Sequence, residues 1–458
     1  KGGIEAVNVT EWDEPQAVIG SYLHRYAYPD WYNQHQTRGR KLKSSETHGG
    51  GEANCLQLRG EYLYVAEGKK GFQAYDVASI ANKGTSQRII TAPFSRLGHD
   101  THIGTKNATC VALPTNQPMA PLRMSGSEES RKLMQEDNQE QPIHAIYSYA
   151  FITDSVEGLI VVDVNTLADG EPRNNFLKRA LTWNESGVLA GARHITIAGT
   201  TFYITTDAGV VVLDMDDPLK PKTITTIPFP GARATALQFR YLFVTDDSGL
   251  HAVDVTNPKA PRRVEGADIA LNDAHKIYLA RTFAYVAAGK DGLAIIDIER
   301  PEQPKLFQMF TGADDTSGGK ITDARDVIVG TTNASLFAYV ADGKNGLKVV
   351  QLTSPERQPS FYGFSPDPNP EVIAWWPTKW PALALSKGLD RDRGVDETGH
   401  QIAVFGRLGS RPMTLSEQQI MYMKDGSLWT VSDDVKMDDF LRGEPKRKLE
   451  FQRPAAKR

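Results

Sequence analysis

Tyr62-Leu-Tyr-Val-Ala-Glu-Gly-Lys-Lys-Gly71-Phe-Gln-Ala-Tyr-Asp76-Val decides the fold, because the chain writes this phrase repeatedly. It returns as Phe283-Ala-Tyr-Val-Ala-Ala-Gly-Lys-Asp-Gly292-Leu-Ala-Ile-Ile-Asp297 and as Phe337-Ala-Tyr-Val-Ala-Asp-Gly-Lys-Asn-Gly346-Leu-Lys-Val-Val-Gln351. Further copies start at Tyr149, Phe202 and Tyr241. Two runs of aromatic and β-branched residues flank a Gly/Asp/Lys/Asn cluster, the composition of two short strands joined by a tight hairpin. In all but the last copy, an Asp or Asn five residues after the final Gly closes the second run. Its side chain can bond the local backbone and turn the chain. Pro218, Pro258, Pro301 and Pro355 then stop the strand. The opening Gly3-Ile-Glu-Ala-Val-Asn8 reads as the second half of a seventh copy.

A further short run precedes each hairpin, starting at Ala53, Ala108, Ala192, Ala234, Ala274 and Ala324. With an outer segment after each Pro, this makes four strands per unit at roughly 40-residue spacing, the signature of a β-propeller. The small residue suits an innermost strand, where chains crowd around a central channel. The expected fold is all-β: a seven-bladed propeller of four-stranded antiparallel blades over residues 1–406, with eight blades as the alternative. Because Lys1 falls inside a hairpin turn, either residues precede it or the C-terminal region helps close the ring. Glu371–Trp376, 381–385 and 401–405 are the candidate closing strands. Residues 407–458 read as a short α/β extension, with one helix over 414–423, a strand over 426–431 and a charged tail.

Leu159-Ile-Val-Val-Asp163 and Leu293-Ala-Ile-Ile-Asp297 resemble the strand that names the LVIVD-repeat propellers, and the likeness extends over about residues 1–355. The resemblance implies the propeller fold and a bacterial secreted or cell-surface protein. It implies no particular activity.

Composition narrows the partners. Hydrophobic residues make up 40%, charged residues 24%, and the formal net charge is -4. Slight acidity gives no electrostatic reason to expect nucleic acid. Apolar runs are strand-length, so no transmembrane helix is expected. There is no C-x-x-C-H, hence no covalent haem on this chain, and no phosphate loop, H-E-x-x-H or G-x-S-x-G.

Three insertions stretch the early repeats, at 22–51, 79–107 and 115–142. Long loops on a rigid scaffold carry function. The first two run into innermost strands, which places them over one mouth of the channel. His48, His99, His102 and His194 crowd there with Cys55 and Cys110. The cysteines have three readings: a disulfide between adjacent blades, two buried thiols, or a metal or redox site with these histidines, suited to copper or zinc. Asp246-Asp-Ser-Gly249 and 314–319 are calcium-like but lack a full ligand spacing.

Aligning the innermost strands puts Cys55, Cys110, His194, Ala236, Lys276 and Asp326 at one position. Asn54, Thr109, Arg193, Thr235, His275 and Arg325 fall at its neighbour. One of these rings should line the channel. Arg193, Arg325, Lys276 and His275 either hold an anion or pair with Asp326, Asp273 and Asp323. The leading expectation is an extracytoplasmic binding or scaffold protein that docks a partner protein through its insertion-bearing face. A multihaem cytochrome in a cell-surface electron-transfer assembly is one candidate partner. The rival expectation is a metal-dependent oxidoreductase with its Cys/His site at the channel mouth. A small-anion or carbohydrate binder is the third.

Overall fold

A computed structural model describes residues 51–59, 62–76, 101–114, 145–167, 177–312, 319–332, 335–356 and 363–386, and shorter stretches at 4–8, 16–22, 90–91, 358, 403–404, 407–408, 411–412, 423–424 and 427–428. Each repeat folds as an antiparallel sheet whose strands lie in chain order. Blade 1 is Cys55–Arg59, Tyr62–Ala66 and Phe72–Asp76, with its outer position shared by Ile90–Thr91 and His102–Ile103. Blade 2 is Ala108–Ala112, Tyr149–Asp154, Gly158–Asp163 and Lys178–Trp183. Blade 3 is His194–Ala198, Thr201–Thr205, Gly209–Asp214 and Lys222–Pro228. Blade 4 is Ala234–Gln238, Tyr241–Thr245, Gly249–Asp254 and Arg262–Ala270. Blade 5 is Ile277–Ala280, Phe283–Ala287, Leu293–Asp297 and Lys305–Phe310. Blade 6 is Asp326–Thr332, Ser335–Ala341, Leu347–Gln351 and Glu371–Trp376.

Among the described residues the propeller therefore has six blades, which corrects the expected seven and the alternative of eight. The opening half-copy, Ile4–Asn8, pairs with Gln16–Tyr22 in a two-stranded sheet of its own, and two strands do not make a blade. Glu371–Trp376 is the outer strand of blade 6, not part of a further blade. Ala403–Val404 pairs with Arg407–Leu408, which pairs with Arg411–Pro412, in a small ladder apart from the blades. No α-helix occurs among the described residues; Ala145–Ser148, Asn165–Leu167 and Glu185–Gly187 are single 3-10 turns. Of the segment expected to be helical, residues 414–422 lie outside the described residues. Its last residue, Met423, sits in a two-residue ladder with Leu428. The charged tail lies outside the described residues as well.

The innermost strand of every blade starts at one face of the disc, called upper here, and ends at the lower face. Turns between second and third strands, and links between blades, are thus upper; turns between third and fourth strands are lower. The hairpin glycine has a double cause. Gly209 and Gly249 start third strands at φ 141° and 142°. A Cβ on either would collide with an outer-strand carbonyl, that of Ile227 or Ile269. Only glycine meets both demands. The aspartates closing the third strands of blades 2 to 5 behave as the sequence suggests: the amide N–H two residues on donates to Asp163, Asp214, Asp254 and Asp297 at 2.9 to 3.0 Å.

Apolar faces of neighbouring blades pack into shared clusters. Phe151 of blade 2 meets Phe202 of blade 3 edge-on, with centroids 4.6 Å apart. Phe243 of blade 4 joins Val286 and Ile296 of blade 5. Tyr285 and Ile295 of blade 5 join Val327 and Val340 of blade 6. Each such buried side chain contributes about 1.5–3 kcal/mol. The joint between blades 6 and 1 runs through an intervening segment that repeats contacts made at other joints, such as the Gly68–Ala108 and Gly289–Ala324 bridges. Ala382 bridges to Gly343 of blade 6, the Leu385 amide N–H donates to Asp326 Oδ2 (2.9 Å), and Ser386 Oγ accepts the Leu58 N–H of blade 1 (3.0 Å). Residues 382–386 are a wedge between the last blade and the first.

Candidate functional site

The first residue positions of the innermost strands form two rings. In blade 3 the Arg193 N–H donates to Thr205 O, in blade 4 Arg233 to Thr245 O, in blade 5 His275 to Ala287 O, and in blade 6 Arg325 to Ala341 O. These four residues are equivalent. The position beside them holds Cys55, Cys110, His194, Ala234, Lys276 and Asp326. The expected alignment was thus two residues out in blade 4: Ala234 replaces Ala236, and Arg233 replaces Thr235.

The second ring fastens each blade to the next. Val111 N–H points at Cys55 Sγ (3.4 Å), Thr235 N–H at His194 Nδ1 (3.3 Å), and Leu385 N–H at Asp326 Oδ2 (2.9 Å). Three different side chains therefore take the same amide from the following strand. Accepting at Nδ1 leaves the His194 proton on Nε2. Burial, with the Lys276 ammonium nearby, holds the His194 pKa down to about 3, so the ring is neutral at physiological pH. Lys276 Nζ pairs with Asp326 (3.0 Å) and also donates to Asn54 O of blade 1 (3.1 Å), so it ties blades 5, 6 and 1 together. Hydroxyls do the same elsewhere. Thr109 donates to Ala192 O (2.8 Å), and Thr196 shares a bond with Thr235 Oγ1 (2.8 Å).

Cys55 and Cys110 form a disulfide between the innermost strands of blades 1 and 2, with Cα atoms 4.7 Å apart. Sulfurs joined to each other offer no thiolate to a metal. His102 Nε2 lies 2.6 Å from the Lys70 carbonyl, and His194 is engaged by Thr235. His48 and His99 lie outside the described residues. No group of three or more His, Cys, Asp or Glu side chains is placed to hold a metal among the described residues. In the calcium-like turn, Asp246 Oδ1 already accepts from the Ser248 N–H, the Ser248 hydroxyl and the Gly249 N–H at 2.7 to 3.0 Å. Residues 314–318 of the other lie outside the described set.

The first ring carries the charge. Arg193 pairs with Asp207, and Arg233 Nη1 with Asp273 Oδ1 at 2.5 Å. His275 Nε2 lies 3.0 Å from Asp273 Oδ2, while Arg325 Nε donates to Asp323 Oδ1 at 2.6 Å. Arg325 Nη1 also reaches His275 Nε2 at 3.3 Å. From Arg233 to Asp323 this is one continuous arc across blades 4, 5 and 6 at the upper mouth. Of the two readings of these cations, mutual pairing is the observed one. Arg233 was missed because Ala232, Ala234 and Ala236 alternate, so a small-residue alignment fits three registers. The recurring pair Ala192-Arg193, Ala232-Arg233, Ala324-Arg325 carried the signal. Burial lowers the His275 pKa, with Asp273 pulling it up and Arg233 and Arg325 pushing it down. Burial alone would raise Asp273, yet its bonds to Arg233 and His275 hold it below the ordinary carboxylate value.

Ser248, His251 and Asp268 on the rim of blade 4 look like a hydrolytic triad: Ser248 Oγ to His251 Nε2 is 3.1 Å, and His251 Nδ1 to Asp268 Oδ1 is 2.8 Å. The chemistry does not follow. Asp246 Oδ2 sits 3.0 Å from the same Nε2, so the imidazole is held between two carboxylates. The Ser248 and Gly249 N–H groups, which would stabilise an oxyanion, are committed to Asp246.

The family model described as LVIVD repeat matches residues 50–83, 144–168, 272–311 and 323–355. The chain carries LVIVD repeats in these four regions. Those matches fall on blades 1, 2, 5 and 6. No curated protein matches it. Among solved structures, a protein from Lactobacillus plantarum is similar at 12% identity and a TM-score of 0.47, covering 73% of this chain and 88% of that one. The Cps50 (Swd1) β-propeller domain of Myceliophteria thermophila is similar at 12% identity and a TM-score of 0.39, covering 70% and 87%. The computationally designed Ika8 protein is similar at 8% identity and a TM-score of 0.37, covering 66% and 71%. Blade number rests on the sheets of this chain, not on these likenesses. No helix among the described residues is long and apolar enough to cross a membrane, and a disulfide is consistent with an extracytoplasmic location.

Proposed function

We propose that this protein is an extracytoplasmic docking scaffold that binds a partner protein through the upper face of its propeller. The observation that supports this reading most is the arc from Arg233 to Asp323. Its arginines and aspartates are half-exposed, held by one another, and mounted just ahead of innermost strands that are bonded blade to blade. Pre-positioned polar groups on a rigid base suit recognition, since little side-chain freedom remains to be lost on binding. They do not suit acid–base turnover, which needs a group free to exchange protons with a substrate. The first insertion delivers the chain to the same face, at Gly51 beside Glu67 and Lys70. Of the second, Ile90–Thr91 and His102–Ile103 pair with the third strand of blade 1, and the third attaches below, after Ala112.

Lysine cross-linking in intact cells tests the docking face. Lys69, Lys70, Lys290 and Lys344 lie exposed on upper turns, and Lys220, Lys259 and Lys305 lie exposed on the lower face. Cross-links to one partner should come from the upper set. Haem absorbance in the cross-linked band would identify a cytochrome. Cross-links confined to the lower set would overturn the reading.

A further inference from the structure

His275 Nε2 faces two groups that want opposite things from it. Asp273 Oδ2 is an acceptor 3.0 Å away, and Arg325 Nη1 is a donor 3.3 Å away. A neutral imidazole with its proton on Nδ1 accepts from Arg325 and turns a lone pair on Asp273. With a proton on Nε2, it donates to Asp273 and presents N–H to N–H at Arg325. When both nitrogens are protonated, the positive ring also repels the guanidinium. Around this ring the charged groups are Asp273 and Lys276 on its own segment, Arg233 from blade 4, and Arg325 with Asp323 from blade 6. Lys276 is directed to Asp326 and Asn54, so it does not relieve the conflict.

We propose that protonation of His275, with the proton taken from solvent, transfers Nε2 from Arg325 to Asp273 and frees Arg325 Nη1 at the upper mouth for an anionic group, carboxylate or phosphate, on the docked partner. Arg325 keeps its hold on Asp323 through Nε and Nη2, so the freed edge stays aimed rather than collapsing. Its side chain is 40% exposed, enough to be met from outside. Charge-assisted bonds of this kind are the strong ones at an interface. The surface is thus gated by acidity, and binding of an anionic partner strengthens as pH falls below the ordinary histidine range. This inference rests on the upper face being the docking face.

Sulfate is the probe, because its charge is constant over the range needed. Its binding to the full chain is followed at pH 7.5 and pH 5 by nitrogen-detected NMR of the Arg325 guanidinium and the His275 imidazole. Sulfate affinity at Arg325 should rise about 5-fold or more on acidification, as Nε2 changes from acceptor to donor. His275→Gln should remove the pH dependence, and Arg325→Gln should remove binding, with Arg325→Lys retaining a weakened form. Equal affinity at both pH values, or a pH dependence that survives in His275→Gln, would overturn the switch. The cross-linking pattern is read separately. A flat sulfate response with upper-face cross-links intact sinks the switch alone, and sulfate switching with lower-face cross-links sinks only the docking reading.

Discussion

Blades 3 and 4 and blades 1 and 2 face the same structural problem and solve it with different chemistry. In blades 3 and 4 the outer strands are long, Lys222–Pro228 and Arg262–Ala270, and the joint is fastened by weak polar contacts: His194 with the Thr235 amide, and Thr196 with Thr235. In blade 1 the outer position is filled, among the described residues, by two pairs only, Ile90–Thr91 and His102–Ile103. That blade is the one joined to its neighbour covalently, through Cys55–Cys110. The Cys55 sulfur occupies the ring position of His194, so a single site in the repeat is tuned from hydrogen bond to bond. The lesson of this pair of joints is that the stronger link sits beside the shorter outer strands.

The most damaging test is to remove the covalent joint. Cys55→Ser with Cys110→Ser should lower stability by about 4 kcal/mol, the chain-entropy value for a loop of this size, and urea unfolding measures it. A loss no larger than that of a threonine joint would dissolve the contrast. Lys276→Met strands Asp326, only 7% exposed, and should cost about 3 kcal/mol by the same assay. Acid separates the joints by kind. His194 has a folded pKa near 3 against an ordinary 6.5, so on acidification the unfolded chain takes up a proton that the folded chain refuses. Stability should therefore be complete above pH 6.5 and decline as pH falls from there toward 3, with His194→Gln flattening that slope. Smaller again, Thr196→Val should cost about 1 kcal/mol and add to Thr109→Val within about 0.5 kcal/mol, as independent joints do. The smallest effect has the opposite sign. Phe239 is 91% exposed and strained at φ 53°, in the hairpin place that Gly199 fills in blade 3. Phe239→Gly should raise the melting temperature, by about 0.5 kcal/mol in stability.

The repeat unit itself was legible because each element of the phrase has one physical job. Gly71, Gly158, Gly209, Gly249, Gly292 and Gly346 all adopt positive φ, and the terminal aspartates of blades 2 to 5 make the local bonds their position suggests. Blade number was not legible, since a half-copy such as Ile4–Asn8 carries the same hydrophobic pattern whether or not a blade surrounds it. Register in blade 4 was lost to a period-two run of alanines, where a slip of two keeps every side chain on its correct face. The pairing of cysteines was open because sequence cannot say that adjacent blades bring Cα atoms to 4.7 Å. Which carboxylate each arginine takes was closed to it as well. Arg193 chose Asp207 across its own hairpin, while Arg233 reached into the next blade for Asp273.

The wedge at 382–386 has a consequence for biosynthesis. All six sheets are complete by Trp376, yet the groups that bind Asp326 and Leu58 arrive ten residues or so later. A nascent chain emerging from the ribosome thus passes through a stage in which all six described blades exist and the circle still gapes. Truncation just before Ala382 would leave an open arc with two raw ends, a species for chaperones and proteases to find.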